Sequence, residues 1–125
     1  QYEIYVPYGK RQKVVLPDGT KVILNAGSYM KYPRQFGKED RYVHFKGEAY
    51  FDVAKNKDCP FIIQSQDYKI RVLGTTFNLN NYEDSEELQL TLCTGKVLMN
   101  FGEEQLKLTP GEQLVLDKTE YASGT

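Results

Sequence analysis

The chain has the composition of an ordinary soluble globular domain. Its 125 residues are 40% hydrophobic and 26% charged, and 16 Lys and Arg against 17 Asp and Glu leave a formal charge of -1. This length buries one core but not two, so we expect a single domain over residues 1–125. The charge balance argues against nucleic acid as a partner, and no apolar run approaches the roughly 18 to 20 residues of a membrane helix.

The first clear element is a β-hairpin. Two β-rich runs in residues 14–25 flank the tripeptide Pro17-Asp18-Gly19. Proline presets one turn position and glycine accepts a positive φ, so this pattern predicts a tight turn between two strands. Residues 29–33 then predict a short strand that ends at Pro33, because proline cannot donate to a central ladder. The charged residues 34–41 predict an exposed loop.

Residues 42–78 organise the rest of the chain. Apolar and polar side chains alternate there over short runs, which is the period of a half-buried strand. A glycine interrupts each half, at Gly47 and at Gly74. A glycine inside a strand pattern marks a bulge or a corner where two backbones approach closely, so we predict that the paired strands bend at both positions.

The alternation also predicts which side chains face the core. The predicted inward positions are Val43, Phe45, Ala49, Phe51, Val53, Tyr68, Ile70 and Val72. The residues between them, including His44, Lys69 and Arg71, would face solvent.

Further strands follow at regular spacing. They are predicted at residues 60–65, 68–73, 75–80, 88–93, 96–101, 105–108 and 113–117. Turns are predicted at residues 56–58, 66–67, 94–95, 102–104 and 109–112, and an acidic loop at residues 82–87. Because no helical stripe is evident, the sequence predicts an all-β, mainly antiparallel, two-sheet sandwich-like domain of about ten to twelve short strands.

Candidate catalytic and metal-binding residues are few. His44 is the only histidine, which leaves too few ligands for a histidine metal cluster and only a solvent-facing strand residue as the base of a Ser-His-Asp triad. Glu48 and Asp52 would lie about 13 Å apart along a strand, whereas a glycosidase pair needs about 5 to 9.5 Å. Thr75 and Thr76 follow a glycine, but no lysine or helix completes a phosphate loop. We therefore expect no enzyme activity, no cofactor and no metal.

The two cysteines are predicted to be separate thiols. Cys59 and Cys93 form no Cys-x-x-Cys pair, and Cys93 lies in an apolar strand pattern. A disulfide between them stays open as an alternative, since it would need α-carbons within about 7 Å.

Five runs of the sequence resemble, in order, the motifs of the FecR family. They are residues 15–28, 47–54, 60–63, 72–79 and 108–113. The positions that carry the resemblance are Pro17, Asp18, Gly19, Gly47, Glu48, Ala49, Phe51, Val53, Pro60, Phe61, Val72, Gly74, Thr75, Phe77, Pro110, Gly111 and Glu112. We expect structural roles for these residues, above all backbone geometry at the glycines.

The resemblance implies a function in signalling across the cell envelope. FecR-type proteins are single-pass inner-membrane regulators with a cytoplasmic segment that binds an extracytoplasmic-function sigma factor. This chain would be their periplasmic β domain, without the sigma-binding segment, the membrane helix or the C-terminal module. Its abrupt start at Gln1 and its end at Thr125 suggest such a piece of a longer protein. Implied partners are the signalling domain of a TonB-dependent outer-membrane transducer and, through the parent chain, the sigma factor.

Two alternative functions remain open. The chain has ten tyrosines and no tryptophan, and tyrosine rings could stack on sugars in a carbohydrate-binding sandwich. The tyrosines group loosely as Tyr2, Tyr5 and Tyr8, and as Tyr29, Tyr32, Tyr42 and Tyr50. A structural domain that self-assembles through an edge strand is the other alternative. On the signalling interpretation, we expect a monomer or a weak dimer.

Overall fold

The computed structural model describes residues 1–37, 40–65 and 68–119, and it is built of β-strands. The twelve strands are β1 Tyr2–Tyr5, β2 Gln12–Val15, β3 Lys21–Leu24, β4 Tyr29–Tyr32, β5 Arg41–Asp52, β6 Phe61–Gln64, β7 Tyr68–Val72, β8 Thr76–Asn81, β9 Glu87–Thr94, β10 Val97–Phe101, β11 Glu104–Leu108 and β12 Gln113–Asp117. The predicted all-β fold is confirmed.

The long strand β5 belongs to two sheets. Its first half pairs with β4 and β6, and its second half pairs with β3 and β8. Sheet A therefore has the strand order β1-β4-β5-β6-β7-β10-β11, and sheet B has the order β2-β3-β5-β8-β9-β12. Among the described strands the pair β5–β6 is parallel and every other pair is antiparallel.

The predicted bends are confirmed at both glycines. Residues 41–46 of β5 pair within sheet A, and the pairing with β8 in sheet B begins at Gly47, which has a φ of 113°. Gly74 lies in the bend between β7 of sheet A and β8 of sheet B. The chain thus uses both glycines to cross from one sheet to the other.

The core lies between the two sheets. All eight predicted inward positions are at most 5% exposed, while His44, Lys69 and Arg71 are exposed. Phenylalanines fill the centre: the rings of Phe51 and Phe77 stack with centroids 5.0 Å apart and an angle of 10°. Phe45 meets Phe51 edge-on at 5.2 Å. Such ring pairs stabilise the core by more than their buried area alone would.

The hairpin and most turns are also as predicted. β2 and β3 pair antiparallel with Val15 opposite Lys21, and β4 ends at Tyr32, directly before Pro33. The predicted turn at residues 66–67 lies outside the described residues. Glu87, which was predicted in the acidic loop, is the first residue of β9.

The predicted exposed loop at residues 34–41 is wrong at two positions. Arg41 is the first residue of β5 and is 1% exposed, and Phe36 is 6% exposed and packs edge-on against Phe61 at 5.9 Å. Phe36 is buried against aromatic rings, and the buried charge of Arg41 is compensated by backbone carbonyls and a carboxylate. Most of these partners are distant in sequence, so the local pattern did not reveal the contacts. Residues 38–39 lie outside the described part of the chain.

Candidate functional site

Several of the residues that carry the family resemblance lie at turns and sheet corners, while others, such as Phe51 and Phe77, lie in strands and fill the core. In the hairpin turn, the Asp18 carboxylate accepts hydrogen bonds from the backbone N–H of Thr20 at 2.9 Å and from its hydroxyl at 2.7 Å. The Thr20 hydroxyl in turn accepts a bond from the N–H of Ala54 at 3.1 Å. Oδ2 of Asp18 also lies 3.0 Å from Nη1 of Arg41. These bonds fix the turn to Arg41 at the start of β5 and to Ala54 just after its last residue.

From inside the protein, Arg41 joins three segments: the hairpin turn at Asp18, the connection between β5 and β6, and the bend after β7. Its guanidinium donates to the carbonyls of Cys59 at 2.7 Å, of Leu73 at 3.1 Å, of Asn56 at 3.3 Å and of Ala54. Its Cζ atom lies 5.7 Å from the centroid of the Phe61 ring. Sequence reasoning missed this residue. The signal was present, because Arg41 has the same strand parity as the inward-facing Val43.

The Gly47 corner brings three strands together. A Cβ atom on Gly47 would lie 2.6 Å from the α-carbon of Ser28. The Ser28 hydroxyl accepts from the N–H of Glu48 and donates to its carbonyl, both at 2.9 Å. The Glu48 carboxylate accepts from the amides of Asn25 at 3.0 Å and Asn78 at 3.2 Å. Glu48 therefore holds β3 and β8 against β5.

The chain also passes between the sheets after β7 and after β9, and these two connections touch each other near Gly74. A Cβ atom on Gly95, in the turn between β9 and β10, would lie 2.7 Å from the carbonyl oxygen of Gly74. A Cβ atom on Gly74 itself would lie 2.7 Å from the α-carbon of Lys55. Thr75 is 3% exposed, and its carbonyl accepts from the N–H of Val53 at 2.9 Å. Both connections between the sheets are thus packed backbone on backbone.

The last of the five runs, residues 108–113, forms the turn between β11 and β12. Glu112 accepts hydrogen bonds from the hydroxyl and from the backbone N–H of Thr109, both at 2.7 Å. These bonds favour the charged form and lower the pKa of the Glu112 carboxyl. Gly111 has a φ of 90° and donates its N–H to the carbonyl of Leu92 at 2.9 Å.

The structure places the candidate chemical groups apart. His44 is exposed beside Tyr42, and partial burial and the charge of Lys31 lower its pKa, so its ring is neutral at pH 7. Cys59 is buried, Cys93 is exposed, and no disulfide joins them. Within the described residues, no three His, Cys, Asp or Glu side chains are close enough to hold a metal ion. The same part of the chain holds no helix long and apolar enough to span a membrane.

Four tyrosines from separate parts of the sequence line an open cleft of about 710 Å³. They are Tyr5, Tyr8, Tyr29 and Tyr82. The other lining side chains with hydrogen-bonding groups are Lys31, His44, Lys46, Glu83 and Asp84. We call this site the tyrosine cleft. It lies on the outer face of sheet A, beside the loop between β8 and β9.

A comparison with protein families shows to which family the chain belongs. The profile described as "FecR protein" matches residues 2–98. The chain belongs to the FecR family. The match ends within β10, yet β11 and β12 extend both sheets of this FecR-family domain.

Two solved structures are similar to this chain along almost its whole length. Two crystal structures of a candidate anti-sigma factor from Parabacteroides distasonis ATCC 8503, at 2.50 Å and 1.65 Å resolution, are 39% identical to this chain. Their TM-scores are 0.90 and 0.91, and the alignments cover 94% and 95% of this chain. They cover only 55% and 56% of those proteins, so the FecR-family chain spans little more than half their length. The comparison with curated proteins gave no match.

The family match and the solved structures agree over most of the chain. Over nearly its whole length, this FecR-family chain is similar to part of a protein described as a candidate anti-sigma factor. Asp18 and Glu48 make their contacts inside the protein, Asp18 with Thr20 and Arg41 and Glu48 with the amides of Asn25 and Asn78.

Proposed function

We propose that this chain is the periplasmic signal-relay domain of a FecR-type anti-sigma regulator. It passes the state of a TonB-dependent outer-membrane transducer towards an extracytoplasmic-function sigma factor, which the parent protein binds through a cytoplasmic segment beyond a single membrane helix. The observation that carries the proposal is the family match over residues 2–98. The likeness to a candidate anti-sigma factor along nearly the whole chain supports it.

A relay domain needs a surface that accepts a partner, and sheet edges supply one. In the described part of the chain, β1 and β11 are the outer strands of sheet A, and β2 and β12 are those of sheet B. An outer strand can accept a partner strand through main-chain hydrogen bonds, while alternate side chains provide selectivity.

Among these edges, β12 is the best suited to accept a strand. Proteins protect edges with lysine or proline. β2 carries Lys13 and β11 carries Lys107, whereas β1 and β12 contain neither lysine nor proline. β12 is the longer of these two strands and its central residues Leu-Val-Leu are uncharged, whereas β1 carries Glu3 in its interior. Val115 in the centre of β12 is 49% exposed. We therefore place the partner strand beside β12.

Calorimetric titration tests this contact. The transducer's periplasmic signalling domain is added to this fragment and, separately, to the full periplasmic region of the parent. We expect saturable binding by the fragment, and Val115→Lys should weaken it about tenfold or more because a charge then faces the added strand. Val15→Lys on β2, where the replaced side chain is 59% exposed, is the matched control and should bind normally.

Binding by the full region without binding by the fragment would place the contact elsewhere and remove the edge-strand route. Equal weakening by both lysine variants would reject β12 as the specific edge.

A further inference from the structure

We propose that the tyrosine cleft binds a neutral oligosaccharide. This binding activity is separate from the relay function and does not depend on it. The cleft has the size of a small-molecule site, because its volume of about 710 Å³ falls within the usual range of about 300 to 1,000 Å³. All the side chains considered below lie within the described residues.

Tyr8 provides an exposed ring on a fixed support. It lies in the turn after β1 and is 83% exposed. A Cβ atom on Gly27 would lie 3.2 Å from Cε1 of Tyr8 and 3.7 Å from Cε1 of Tyr82, so both rings rest on this glycine. The hydroxyl of Tyr82 also donates to the carbonyl of Ala26 at 2.8 Å. Supported aromatic faces of this kind suit the C–H face of a pyranose ring.

The second pair of tyrosines extends the aromatic surface. Tyr5 on β1 lies directly opposite Tyr29 on β4, and Tyr5 is 61% exposed. The Tyr29 hydroxyl donates its hydrogen to Glu3, and burial and that carboxylate raise its pKa, so the hydroxyl stays protonated and its oxygen can accept a hydrogen bond from a ligand. The positions of Tyr5 and Tyr29 are explained by strand packing without any ligand. Tyr8 lies in a turn outside the strands, so strand packing does not explain its position.

The charges around the cleft favour an uncharged ligand. Lys31 and Lys46 are balanced by Glu83 and Asp84, while the carboxylate of Glu3 is taken up by its hydrogen bond with Tyr29. The lowered pKa of His44 means that its neutral form predominates at pH 7. Nζ of Lys46 lies 3.3 Å from Oε1 of Glu83, with both side chains more than half exposed. Ammonium donors and carboxylate acceptors therefore lie side by side. Sugar hydroxyls both donate and accept, and they match such a mixed set better than an anion or a cation does.

Titration followed by NMR tests the inference. Maltotetraose, cellotetraose, mannotetraose and xylotetraose are added singly to protein with labelled tyrosine rings, up to about 10 mM, which detects millimolar affinities. We expect at least one sugar to shift the ring signals of Tyr5, Tyr8 and Tyr82 in a saturable way. Tyr8→Ala should weaken that binding about tenfold, because it removes the stacking ring.

Tyr2→Ala is the matched control. Tyr2 lies on the same strand as Tyr5 and is 49% exposed, but it packs on Tyr32 outside the cleft, with ring centroids 5.4 Å apart. This variant should bind as the parent does, and the backbone spectra of both variants should show an intact fold. No saturable shift with any of the four sugars, or equal binding by Tyr8→Ala, overturns the proposal. A Tyr8-dependent response to an oligoglutamate peptide without any sugar response would assign the cleft to peptides and also overturn it.

Discussion

Arg41→Met should lower the free energy of unfolding by about 3 to 5 kcal/mol, the cost of breaking a buried charge pair by removing one partner. The guanidinium is 1% exposed, and its ion partner Asp18 has a side chain that is 15% exposed. Without Arg41 the Asp18 carboxylate loses its counter-charge. The carbonyls of Cys59, Asn56, Leu73 and Ala54 lose a donor inside the protein.

Urea denaturation followed by far-ultraviolet circular dichroism measures this loss. Arg71→Met is the matched control, since Arg71 is exposed on the outer face of β7, and its free energy of unfolding should change by no more than about 0.5 kcal/mol. Asp18→Asn should be less damaging than Arg41→Met, because the amide oxygen can still accept from Thr20 and Arg41. A loss below about 1 kcal/mol for Arg41→Met would contradict the role assigned to the guanidinium.

Gly47→Ala should destabilise the fold by about 4 kcal/mol, because it adds backbone strain to a steric clash. The φ of 113° is one that L side chains rarely adopt. The new methyl group would also lie 2.4 Å from the hydroxyl oxygen and 2.6 Å from the α-carbon of Ser28. Relief would require β4 and β5 to separate at the corner where the sheets meet. The same urea denaturation assay measures the effect.

Substitutions at two other glycines separate the cost of backbone strain from the cost of the steric clash. Gly111 has a φ of 90° with no atom within 4 Å of an added Cβ, so Gly111→Ala should cost only the strain, about 1 kcal/mol. Gly74 has no positive φ, but its Cβ would meet the α-carbon of Lys55 at 2.7 Å, so Gly74→Ala isolates the clash. If Gly47→Ala proved no worse than Gly111→Ala, the close approach to Ser28 would not constrain the corner.

Local patterns were sufficient to predict the strands and their corners. Alternation over two residues placed Val43, Phe45 and Phe51 in the core, and glycines inside strand patterns located the bends. These features depend on the backbone geometry of a few neighbouring residues. For that reason they could be derived from the sequence alone.

The missed features depend on contacts between distant residues. Arg41 looked like part of a charged loop because its partners, Asp18 and Leu73, lie 23 and 32 residues away. The parallel pairing of β5 with β6 was not predicted for the same reason. In the tyrosine cleft, Tyr82 joins Tyr8 only after β8 has returned to β5, so the sequence grouped Tyr5 with Tyr8 but did not predict that Tyr29 and Tyr82 lie beside them.

A sigma-dependent reporter tests the relay function most directly. Cells carry the parent protein either intact or with this domain replaced by an unrelated β-sandwich of similar size, and immunoblots verify equal amounts in the membrane. With the intact domain, reporter transcription should change when the transducer's ligand is added. With the replaced domain it should be the same with and without ligand. An undiminished response after replacement would contradict the assignment of this FecR-family domain as the relay.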